Sequence, residues 1–187
     1  MTLAALPVTF DRQWEKAVPD HWHTAGARTS APSGFKSSRK AATPFHALVN
    51  YAYAILETEA TITLQAHGFD PGMGILHTDK RYRSSLAHDL MEPLRPVVDG
   101  LVTDLVEAGP LARGDVYETR EGVCRLGPPL ARRLAGWAPS LRPALANSAQ
   151  ELEALLLGTR ATRPARRRNA TTAGKGGKRR RAGRASP

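Results

Sequence analysis

Residues 43–68 read TPFHALVNYAYAILETEATITLQAHG, and their spacing decides the fold class. Thr43 is a good N-cap, Pro44 sits at the first helical position where a missing N–H costs nothing, and Gly68 is a good stop. Between them Phe45, Leu48, Val49, Ala52, Leu56 and Ala60 recur at three- and four-residue steps. That recurrence predicts one long helix with an apolar face turned to a core. Asn50, Glu57 and Thr61 fall on other faces of the same helix.

Downstream, the turn Asp70-Pro-Gly-Met-Gly74 leads to His77, and a second helix is expected from about Ser85, capped by Ser84 or Ser85. Its apolar side is read as Leu86, Leu90, Leu94, Val97, Leu101 and Leu105, with Asp89, Glu92 and Asp99 together on another side. Pro93 and Pro96 each lack an N–H, so the carbonyls of Asp89 and Glu92 lose their usual partners and a kink is expected there. Residues 115–119 and 122–126 around Arg120-Glu121 predict a small β-hairpin. Two further helices are expected, from about Pro129 to Trp137 and from about Ser140 to Leu157, the latter with Leu141, Leu145, Leu152, Leu155 and Leu156 as its apolar positions. The fold class expected is mainly α, with one small β-hairpin in a helical body over 44–158.

Upstream, residues 1–43 carry Pro7, Pro19, Pro32, Gly26 and Gly34, leaving room only for short helical turns in an irregular arm. Phe10, Trp14 and Trp22 are expected to anchor part of it to the body. His21 and His23 flank Trp22 but read as surface or partly packed groups, because i and i+2 share a face only on a strand. Residues 159–187 form a tail without apolar periodicity, expected to be disordered.

Charge follows the same division. The net charge of +10 arises in that tail, which holds 11 of the 27 Lys and Arg and no acid, so residues 1–158 are close to neutral. A basic arm on a neutral body suits electrostatic anchoring to a polyanion such as DNA. The single cysteine, Cys124, leaves no internal disulfide or multi-cysteine zinc site and reads as a buried small hydrophobe. A reducing, cytoplasmic setting is expected, with no membrane association, since no apolar run approaches the roughly 20 residues that span a bilayer.

The chemistry-bearing groups converge on His77, Asp89 and Glu92. Carboxylates at i and i+3 on one helix can approach a common divalent ion, and an imidazole from the preceding loop can add a nitrogen ligand. Mixed His and carboxylate ligation suits Mg²⁺ or Mn²⁺, and such an ion beside a phosphodiester supports nuclease or strand-transfer chemistry. The same residue types also occur as solvated or capping groups, and spacing leaves both readings open. His88 lies about 100° around the helix from Asp89 and reads as surface. Arg81 and Arg95 can contact phosphate or pair with acids, and Asp79 has no acid partner on a defined helix.

These stretches resemble the CRISPR-associated spacer-acquisition integrase, a metal-dependent endonuclease family that inserts foreign DNA into CRISPR arrays. Residues 44–57 are similar to the family's Pro-x-Asn-Ala-Leu-Leu-Asn-Tyr-Gly-Tyr-Ala-Leu-Leu helix, with His46 in place of the first Asn. Residues 68–77 resemble its Gly-Leu-Asp-Pro-x-x-Gly-x-Leu-His turn, and residues 85–96 its Ser-Leu-x-x-Asp-Leu-Met-Glu-Pro-Phe-Arg-Pro helix. The hairpin at 118–126 and the segment 18–22 look like an atypical branch, and the resemblance spans roughly 10–150. Three motifs in order make it far more specific than any one of them.

The resemblance implies a helical catalytic domain, with His77 and Glu92 at metal-ligand positions, Asp89 as the supporting acid and Mg²⁺ or Mn²⁺ as cofactor. It also implies DNA as substrate, a small ferredoxin-like partner protein and a homodimer. The chain departs from the pattern in two respects. The family's N-terminal β-sandwich and its first-helix Glu, in a Glu-Gly type motif, have no match here, Glu15 and Glu57 lying outside any such motif. The expectation is an N-terminally truncated integrase and endonuclease, with a non-catalytic DNA-binding or assembly protein of the same fold as the alternative.

Overall fold

Helix α2 (Pro44–Ala66) forms where its capping signals place it, in a computed structural model of the protein that describes residues 6–25, 40–74 and 84–158. Thr43 Oγ accepts the His46 N–H at 3.3 Å, supplying one of the partners a first helical turn lacks. At the other end Gly68 takes a left-handed φ of 78°, and the Phe69 and Gly68 N–H groups donate back to Leu64 and Gln65 at 2.9 and 3.0 Å. That paired return is a Schellman close, which leaves Phe69 packed against the core.

All six positions read as the apolar face of α2 are buried, and Leu64 extends the stripe. Around this helix pack α3 (Ser85–Met91), α4 (Arg95–Glu107), α5 (Pro128–Ala135) and α6 (Ala138–Leu156). A two-stranded antiparallel hairpin, β1 (Val116–Glu118) and β2 (Cys124–Leu126), closes one side, in the register Val116 to Leu126. The fold is mainly α with one small hairpin, as the sequence predicts. Gly127 ends the hairpin at a close approach of two backbones, where a Cβ would overlap the Gly114 carbonyl.

The segment 6–25 carries one helical turn, α1 (Arg12–Glu15), and a 3-10 turn at Asp20–Trp22. Leu6, Val8 and Phe10 are buried alternately with exposed Pro7 and Thr9, an extended pattern, and Phe10 and Leu111 pair through the backbone. Phe10 and Trp22 are buried and Trp14 half-buried, with ring centroids 5.4–6.2 Å apart, so the three aromatics anchor this segment as expected. His21 is exposed and His23 half-buried against Phe10. Cys124 is buried, and burial pushes its thiol up to about 12. The tail 159–187, with its expected disorder, lies outside the described residues.

Three expectations need correction. First, Ser84 and Ser85 do not cap α3 through their side chains: Ser84 makes no cap bond, and Ser85 Oγ is buried without a hydrogen-bond partner among the described residues. The Pro71 carbonyl takes that place, accepting from Leu86 and Ala87 N–H at 2.9 and 3.3 Å. Second, Val97 is 54% exposed and Leu101 half-buried, and the buried stripe of α4 is Val98, Val102, Leu105 and Val106. The cause is the 3-10 turn at Glu92–Leu94, the kink the prolines predict. Each residue of such a turn advances about 120° instead of 100°, so α4 resumes rotated by about 60°. Third, Leu155 and Leu156 stand 79% and 60% exposed, because the contacts that bury Leu141, Leu145 and Ala149 end before the last turn of α6.

Candidate metal and nucleic-acid site

The loop after α2 is tied at its base. Asp70 Oδ1 accepts the Gly72 N–H at 2.8 Å in a local turn, and the Pro71 carbonyl accepts from the Leu86 and Ala87 N–H groups at the start of α3. Pro71, in the turn after α2, is thus joined directly to the head of α3. Residues 75–83, with His77, Asp79 and Arg81, lie outside the described residues.

From that point α3 presents its carboxylates. Asp89 and Glu92 are half-buried at a spacing of three, and Glu92 stands at the joint where α3 gives way to the 3-10 turn. Pro96 cannot donate to the Glu92 carbonyl, so the Arg95 N–H does so instead, and this tighter return also brings the Arg95 side chain back to Glu92. Arg95 Nη2 lies 3.1 Å from Glu92 Oε1.

Arg95 is held from its other side by α2. Its guanidinium carbon lies 5.2 Å from the centroid of the Tyr53 ring, and the Tyr53 hydroxyl donates to Asp99 Oδ1 at 2.7 Å. Glu92, Arg95, Tyr53 and Asp99 thus form a chain of contacts between the joint, α2 and α4. A half-exposed Arg95–Glu92 pair alone contributes little to stability, about 0–1 kcal/mol, but the ring behind the guanidinium fixes its orientation. His88, read as surface, is half-buried against α2 instead, with its Nε2 3.8 Å from Glu57 Oε1.

Among the described residues no three of His, Cys, Asp and Glu are grouped closely enough to hold a metal ion. Asp89 near the end of α3 and Glu92 at the start of the 3-10 turn are two carboxylates three residues apart, and a histidine is the type of third donor they would require. Two carboxylates and an imidazole fit a hard divalent ion such as Mg²⁺ or Mn²⁺.

Sequence reasoning named Arg95 and Asp99 as charged groups without joining them, and it passed over Tyr53. It also missed Glu59, 6% exposed and bound by Arg142 of α6 through two hydrogen bonds of 2.7 and 3.1 Å. The signal for Glu59 was present, since it stands seven residues after Ala52 and three after Leu56, on the edge of the apolar stripe.

Residues 14–136 match the family described as CRISPR associated protein Cas1. The chain belongs to the Cas1 family. Among curated relatives, a CRISPR-associated endonuclease Cas1 of Thermus thermophilus is 34% identical over 71% of this chain and 47% of its own length. Among solved structures, a casposase bound to integration product superposes with a TM-score of 0.65 and 26% identity, over 78% of this chain and 46% of that one. A chain of a partial Cas6-RT-Cas1–Cas2 complex gives 0.59 and 25%, over 79% of this chain and 46% of that one. This Cas1-family chain spans about half the length of these relatives or less. No helix among its described residues is long and apolar enough to cross a membrane.

Proposed function

We propose that this Cas1-family chain acts on DNA in CRISPR adaptation, as an endonuclease and integrase dependent on Mg²⁺ or Mn²⁺. The observation that carries the reading is Glu92 at the proline joint, oriented by Arg95 against Tyr53 and one helical turn from Asp89. In this reading His77 and Glu92 hold the ion and Asp89 supports it. Such an ion, when bound, supplies positive charge to a phosphodiester and favours deprotonation of an attacking water or 3′-hydroxyl.

The chain's own residues prepare the site. Arg95 neutralises part of the negative charge of Glu92 and offers guanidinium N–H groups to an incoming phosphate. Tyr53 keeps Arg95 in place, and its hydroxyl, spent on Asp99, ties α2 to α4 so that the joint does not shift. The basic residues of 159–187 add sequence-independent affinity for DNA, which weakens as salt rises. Partnership with a small ferredoxin-like protein belongs to the same reading, supported by the Cas1–Cas2 assemblies among the structural neighbours.

The test is a Mn²⁺-dependent assay of DNA cleavage and strand joining with wild type, His77→Ala and Glu92→Ala. Loss of at least about 100-fold in both variants is expected, the scale of removing a group that stabilises charge in the transition state. Equal activity in all three would remove the metal assignment. DNA binding with no turnover in wild type would favour the non-catalytic reading.

A further inference from the structure

We draw no further inference here: the strongest candidate, the apolar hollow that Ile55 of α2 forms with Ala135 and Ala138 at the corner of α5 and α6, carries nothing, because its one charged lining residue, Glu59, is already bound by Arg142 and nothing in the structure shows what covers its apolar wall.

Discussion

The two long sides of α2 meet their neighbours in opposite ways. One is dry: Leu48, Leu56 and Leu64 are completely buried and lie among side chains of the same character. The other is polar: Tyr53 and Glu57 face Arg95, Asp99 and His88 across a seam of hydrogen bonds and ion pairs. The dry side carries the stability, because each buried aliphatic side chain contributes roughly 1.5–3 kcal/mol. The seam contributes less energy but sets direction, holding the guanidinium that orients Glu92. In this fold, stability and site geometry are supplied by different faces of one helix.

The contrast is broken most severely from α4. Val98→Asp places a carboxylate in the dry layer, at 1% exposure, and should cost about 4 kcal/mol or more, leaving little folded protein by circular dichroism. Val97→Asp, one residue away at 54% exposure, should stay within about 0.5 kcal/mol of wild type in urea unfolding. Similar losses in both would mean that the 3-10 turn does not rotate α4 as described.

Tyr53→Phe tests the seam. Removing the 2.7 Å hydrogen bond to Asp99 should cost about 1 kcal/mol in denaturant unfolding. DNA cleavage should fall further than that loss explains, since the tie that steadies Arg95 and Glu92 is cut. A stability change with unaltered cleavage would confine the seam to a structural role.

At neutral pH the hairpin side of α2 shows no effect of this kind, and its test lies at alkaline pH. Cys124 has its thiol raised from 9.0 to about 12, first by burial and then by the Glu118 charge. An acid whose folded value is raised keeps its full contribution below the unfolded value and loses it as pH climbs through the folded one. Folding stability should therefore fall between pH 9 and 12, and Cys124→Ala should flatten that part of the curve. At pH 8 a disulfide reagent should label Cys124 only as fast as the protein opens. Rapid labelling of native protein would contradict its burial.

Much of this was legible in the sequence. The bounds of α2 could be read because Thr43, Pro44 and Gly68 act on backbone groups within a turn of themselves. The hairpin could be read from residues that pair across a short turn. The spacing of three between Asp89 and Glu92 is nearly one helical turn, and the 3-10 turn that begins at Glu92 follows from two prolines without N–H groups.

What the sequence determined by itself is local: which residues are helical, where the helices begin and end, and where the carboxylates break the rhythm. The tertiary structure decided the rest. Only the folded chain brings the Pro71 carbonyl to the head of α3 in place of a serine, turns Val98 inward and Val97 outward, and sets Tyr53 behind Arg95. The physical reason is range. Caps, periodicity and missing donors act over about four residues, whereas Tyr53 and Asp99 are 46 residues apart and meet only once α2 and α4 pack.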